Sequence, residues 1–295
     1  MQKRKTMKLK NIPPVPAVLL AIVSVQGGAA IAKGIFPFMG ATGTATLRIV
    51  LSAIILLLAY RPQLNKISAR QWKLIVPYGI TLGAMNLSFY LSLSRIPLGL
   101  AVTLEFLGPL VLAISSSRKA LDFLWAILAA AGIFLIAPWS VDSKLDLLGT
   151  GLALLAGTFW AAYIVIGGKV SKVIDGGQAV SIGMAVASCV VIPFALADGS
   201  FAQLNFELLG LGLAIALLSS AIPYTLEMSA LKHIPAKTFS ILMSLEPAVA
   251  AICGIIFLSE HLAAKEWVSI TLVVTASLGA TLVKRKTNEV ADEKH

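Results

Sequence analysis

Ten apolar stretches follow one another along this chain, each close to bilayer length and each ended by a short linker. By hydropathy they span 15–35, 41–60, 73–93, 97–115, 121–138, 147–168, 178–198, 206–228, 235–258 and 265–283. About 20 apolar residues of helix cross the hydrocarbon of a membrane. Backbone N–H and C=O groups cannot be left bare in lipid, so helices are the expected element. The linkers carry helix-ending residues, as in "FPFMGATG", "YRPQLNK", "SRIPLG", "KVIDGGQ" and "KHIPAK". None is long enough for a soluble domain. Only 13% of the residues are charged, about half the share of a typical soluble protein.

The chain opens basic and then apolar, "MQKRKTMKLKNIPPVPAVLL", as a secretory signal does, and Ala30-Ile31-Ala32 imitates a cleavage site. The apolar run continues to Ile35. That is past the ~7–15 residues of a signal's apolar core, so the segment is expected to remain as the first helix. Cys189 and Cys253 lie inside apolar segments and read as small core residues, not a disulfide.

The net charge of +10 sorts by side. With the N-terminus cytoplasmic and the helices alternating, 19 basic residues fall on the cytoplasmic side. Four fall outside, Lys33, Arg95, Lys144 and Lys265, and Arg48 lies within a span. Cytoplasmic loops collect Lys and Arg, so both termini are expected in the cytoplasm. Basic residues scattered over short loops form no nucleic-acid-binding face.

The stretch "SRIPLGLAVTLEFLGPLVLA", from Ser94, is echoed by "KHIPAKTFSILMSLEPAVAA", from Lys232. Pro97 maps to Pro235 and Pro109 to Pro247, both at an offset of 138. A weaker match relates Lys33 to Lys169 at an offset of 136. The expected organisation is a basic tail (1–14), one five-helix repeat (15–138), a second (147–283) and a tail (284–295). Five passes is an odd number, so the second repeat enters the membrane upside down relative to the first. Inverted repeats are how many secondary transporters place a substrate at mid-membrane and alternate its access.

Charged groups within the spans are the candidate functional residues. Glu246 lies eleven residues beyond Pro235 and Glu105 eight beyond Pro97, about 16 and 12 Å along a helix. Both therefore fall near the midplane, where an ionised carboxylate costs at least ~2.5–3.5 kcal/mol. Such acids bind a cationic ligand group, carry protons, or are held by hydrogen bonds beside a kink. Pro109 and Pro247 each remove a backbone donor and free a carbonyl one turn back. Glu227, with Tyr224 and Pro223 beside it, lies near a cytoplasmic helix end and reads as a gate residue or a snorkelling acid. Arg48 reads as an ion-pair partner or an anchor for a carboxylate. Lys33 is expected to snorkel to the outer surface. Gln26 lies at mid-depth of the first span, beside Gly27 and Gly28. Asn86 and Tyr90 share a helix face, as do Trp160 and Tyr163, the latter pair reading as packing or as ligand contacts.

These stretches resemble the EamA branch of the drug/metabolite transporter superfamily. "SLEPAVAAICGIIFLSE", Ser244 to Glu260, is similar to that branch's Glu-Pro signature, with Ser259 where glycine is usual. "SVQGGAAIAKGIFP", "GATGTATLRI", "MNLSFYLSLSRIPLGLAVTLEFLGPL" and "AIPYTLEMSALKHIPAKTF" resemble the threonine and homoserine exporters of bacterial inner membranes. The resemblance implies export of small neutral amino acids, driven by protons and needing no cofactor, across the inner membrane. A homodimer is compatible with it. Other cargo in the same fold, lipid translocation and membrane-embedded enzymology are the competing classes. Enzyme and metal motifs such as HExxH, GxSxG, a P-loop or CxxC do not occur.

Overall fold

The computed structural model describes residues 12–115, 120–136, 146–231, 233–234 and 242–292. The N-terminal basic tail, Arg118, Lys119, Lys144, Lys232, Pro235, Lys237, Lys294 and His295 lie outside these residues. Among the described residues the regular structure is entirely helical.

The first helix, α1, runs Pro14–Tyr60. Its 47 residues would be about 70 Å long if straight, more than twice the thickness of the hydrocarbon. It breaks at Gly40, whose φ of 68° and ψ of 172° are open to glycine alone. The break falls in the linker expected at 36–43 and divides α1 into arms of 14–39 and 41–60. Ser68 starts α2 (Ala69–Leu93) with a reciprocal capping box to Gln71.

The span expected over 97–115 is two short helices, α3 (Leu98–Glu105) and α4 (Leu107–Ser115), joined at Phe106. Pro109, having no N–H, cannot bond the Glu105 carbonyl one turn back. α5 follows at Ala120–Ile136. α6 (Leu147–Val170) begins at Asp146, whose side chain accepts from the Gly149 N–H at 2.8 Å. That bond, and then the Arg95 guanidinium 2.7 Å away, hold the Asp146 carboxyl below its ordinary pKa. α7 covers Gly176–Ala197. α8 (Phe206–Ala216) passes through one π-helical turn, Leu217–Ala221, into α9 (Ile222–Leu231).

α10 covers Glu246–Leu258 and α11 Ala264–Asp292. Glu246 and Pro247 open this helix, after a two-residue turn at Ser244–Leu245 that follows the helical pair Leu242–Met243. Proline costs little in a first turn, where its missing N–H has no partner to lose. Glutamate is favoured there by the helix dipole.

Packing reverses the pattern of a soluble protein. Phe206, Ile256, Leu58, Leu196 and Val111 are exposed, while the buried helix faces are rich in alanine, glycine, serine and threonine. Small residues let helices approach closely where lipid removes the hydrophobic drive between them. α2 lies between α6 and α7, α5 pairs with α11, α3 with α10, and α1 runs along α7, α8 and α9. Among the described residues five helices are long and apolar enough to cross a bilayer: α1, α2, α6, α7 and the joined α8–α9. The chain is a multi-pass membrane protein.

Two sequence expectations are corrected by this packing. Cys189 is exposed, whereas Cys253 is buried; both are free thiols. Lys33 does not simply snorkel. Its Nζ donates to Glu260 Oε1 at 2.7 Å and to the Ile96 carbonyl at 2.9 Å. The Glu260 carboxylate also accepts the Leu98 N–H at 3.0 Å, the first of α3. One carboxylate therefore ties α1, the start of α3 and the end of α10 together. Replacing Glu260 with alanine strands a partly buried ammonium and a helix-start donor. A loss of about 1–3 kcal/mol is expected, read as a lower unfolding temperature in detergent. An unchanged temperature would show the clamp to be dispensable.

Candidate functional site

Arg48, on the second arm of α1, is the centre of the polar interior and only 4% exposed. Its Nη2 donates to Asn86 Oδ1, and its Nη1 to the Ser219 carbonyl at 3.4 Å. Its guanidinium carbon lies 4.6 Å from the centre of the Tyr90 ring, a cation–π contact. Asn86 is oriented for this task, because its Nδ2 donates to the Leu82 carbonyl at 2.7 Å. Tyr224, on α9, lies close to Asn86 and Arg48. The helix-face pair Asn86 and Tyr90 thus receives one cation from α1. Among the described residues the hydrogen-bond partners of Arg48 are an amide and a carbonyl, with no salt bridge to an acid. Its Nε, like the Tyr90 hydroxyl, has no hydrogen-bond partner.

Three acids lie in the same interior. Glu105 ends α3 at 8% exposure and Glu246 opens α10 at 5%. Both face protein, not lipid. Glu227, on α9, is partly buried. Glu246 feels the charges of Glu227 and Glu105, and Glu105 feels that of Arg48. Glu105, Glu227 and Glu246 therefore lie near one another, which their spacing along the chain did not reveal. Pro109 and Pro247 each stand next to a helix boundary that carries one of these acids.

The remaining candidates divide. Tyr163 stacks on Tyr78, ring centres 5.0 Å apart, with hydroxyls 3.2 Å from each other. Tyr78, Tyr163 and Tyr224 all feel the Glu227 charge. Trp160 sets its ring edge-on to Phe106 at 5.5 Å, a packing contact. Gln26 is buried, with its Oε1 lacking a hydrogen-bond partner. No hydrogen bond among the described residues joins Gln26 to Arg48 or to the acids. No group of three acid, histidine or cysteine side chains there is placed to hold a metal.

Sequence reading missed Tyr78, Ser24, Ser52 and the pair Ser219–Ser220. The last four meet at the π-turn. Ser52 Oγ donates to the Ala216 carbonyl at 3.2 Å, and Ser24 Oγ to the Leu218 carbonyl at 2.5 Å. Arg48 takes the Ser219 carbonyl. Pro223 has no N–H for the carbonyl five residues back, Leu218, and Ser24 supplies the donor instead. The available signal was two serines ahead of a proline in an apolar run, "LLSSAIPY".

The EamA-like transporter family profile matches residues 147–282. The threonine/homoserine exporter RhtA of Escherichia coli K12 is 41% identical over 288 residues, covering 96% of this chain and 97% of that protein. The protein of the same name from Salmonella typhimurium LT2 is 41% identical over 286 residues, 97% of each. The uncharacterized transporter YwfM of Bacillus subtilis 168 is 28% identical over 167 residues, 56% of each chain. A solved crystal structure superposes with a TM-score of 0.59 over 92% of this chain and 98% of its own, at 14% identity. At that identity the likeness concerns the fold alone.

Proposed function

Because the chain belongs to the EamA-like transporter family, we propose that it is a secondary active transporter exporting small neutral amino acids, threonine and homoserine foremost. The observation that carries the proposal is 41% identity, over nearly the full length of both chains, to exporters named for those two substrates. Ten passes complete the reading. The two arms of α1 count as two, α3 and α4 together as one, and α8 with α9 as one. The inverted halves meet where Glu105 and Glu246 lie, both termini face the cytoplasm, and the membrane is the bacterial inner one.

The chemistry follows from the side chains. A zwitterionic amino acid brings an ammonium and a carboxylate into a space that must replace water for both. Arg48, always charged, offers its free Nε to the carboxylate. Glu246 and Glu105 offer acceptors to the ammonium. A carboxylate that releases the ammonium outside takes a proton there and gives it up inside. Competition between proton and substrate for one acid couples their opposite movements. Alternating access lets that competition happen on one side at a time.

The test is efflux of radiolabelled threonine and homoserine from proteoliposomes, with and without an imposed pH gradient. Acceleration by the gradient is expected. Flux of either substrate that ignores the gradient would remove the proton, and no flux of any amino acid would remove the assignment. Glu105→Gln separates the two acids. It is expected to retain exchange of threonine for threonine while losing gradient-driven accumulation. Loss of both, or of neither, counts against Glu105 as the coupling acid.

A further inference from the structure

Three observations converge on Ser219, which no motif marked. Its side chain is 1% exposed, and its hydroxyl oxygen makes no hydrogen bond. A buried hydroxyl without a partner forfeits a hydrogen bond that it had in water. Serine in a helix ordinarily avoids this by donating to a carbonyl one turn back, as Ser52, Ser188, Thr81 and Thr103 do here. Ser219 does not, although it sits in a distorted turn with carbonyls close by.

The turn itself is held open by neighbours. Leu217–Ala221 is π-helical, a distortion found often at functional sites. Ser24 and Arg48 of α1 donate to the carbonyls of residues 218 and 219, and Ser52 shares its one proton between the carbonyls of residues 48 and 216. None of these bonds engages the Ser219 hydroxyl, which is left over. Space for it is kept by Gly28, where any Cβ would overlap the Ser219 oxygen. The residue also touches the cation that would take a substrate carboxylate, since Arg48 bonds its main-chain oxygen.

We propose that the Ser219 hydroxyl hydrogen-bonds the side-chain hydroxyl of the transported amino acid and so sets a preference for hydroxylated over purely aliphatic cargo. The proposal rests on the amino-acid export reading and adds a specificity-determining residue to it. With the carboxylate on Arg48, a hydroxyl one or two carbons beyond the α-carbon comes within reach of the adjacent residue. A site built to bond a hydroxyl discriminates strongly against the analogue that lacks it, because its own polar group is then left unpaired.

The probe is 2-aminobutyrate, which is both threonine and homoserine without the hydroxyl. Proteoliposome efflux of threonine, homoserine and 2-aminobutyrate is measured for the wild type and Ser219→Ala, with unfolding temperatures to confirm that both are folded. In the wild type the hydroxylated substrates are expected to leave faster. In Ser219→Ala the threonine to 2-aminobutyrate ratio is expected to fall about tenfold, through slower threonine efflux with 2-aminobutyrate retained. A ratio that does not move, or equal slowing of all three, overturns the proposal and leaves Ser219 a packing residue. A wild type that moves none of the three fails the export reading itself, a result distinct from an unchanged ratio.

Discussion

Glu246→Gln is expected to reduce amino-acid efflux by at least about 100-fold while the protein folds and inserts normally. The substitution keeps the shape of the side chain and removes only its charge and its ability to cycle a proton. Losing a buried partner for an ammonium costs about 3–5 kcal/mol, which is enough for that reduction. The structural cost is small by comparison. The Glu246 carboxylate forms no salt bridge among the described residues. Its favourable position in the first turn of α10 contributes about 0.3–1 kcal/mol through the helix dipole. The unfolding temperature should therefore stay within a few degrees of the wild type as efflux vanishes. Wild-type efflux from the Gln variant would show that Glu246 neither binds cargo nor carries protons. A large drop in unfolding temperature would show instead that the carboxylate holds α10 in place.

The sequence stated where the chain must be apolar, and much of the fold follows from that. The break at Gly40 was legible because a proline and two glycines interrupt one long hydrophobic run. The burial of Glu105 and Glu246 was legible too: an acid within an apolar stretch has to be sheltered among helices, and both are buried.

The partners of these residues were not legible. Charge complementarity suggested an acid for Arg48, yet the structure supplies an amide, a carbonyl and an aromatic ring. Neutral acceptors leave no signature in a sequence, because every residue has a carbonyl. Lys33 and Glu260 are 227 residues apart, and only tertiary packing brings them together. The π-turn was hidden for a related reason. Pro223 announces a missing donor, but not that Ser24 will replace it. The Glu-Pro pair marks the place where α10 starts after a turn, and hydropathy does not show where within an apolar span such a turn falls.

The second large effect is expected at Gly157, and it has a built-in control. Gly157 lies on α6 where this helix crosses α3 and α4. A Cβ there would run into the carbonyl and backbone of Glu105, and a Cβ on Gly108 would run into the backbone of Gly157. The obstacles are backbone atoms, which cannot rotate aside as a side chain can. Gly157→Ala must therefore push α6 away from α3 and α4, at a cost near the upper end of overpacking penalties, about 3 kcal/mol. The displaced backbone carries the Glu105 carboxylate, so efflux is expected to fall along with stability. Gly151 lies six residues earlier on the same helix, and a Cβ there meets nothing within 4 Å. Gly151→Ala gains helix propensity with no clash and should stabilise by about 0.5–1 kcal/mol. Helix propensity alone predicts the same sign for both substitutions, whereas backbone contact predicts opposite signs. Unfolding temperatures in detergent, with efflux measured alongside, decide between them. A Gly157→Ala protein as stable and active as Gly151→Ala would mean that α6 does not rest on the Glu105 backbone, and that something other than this crossing fixes the acid in place.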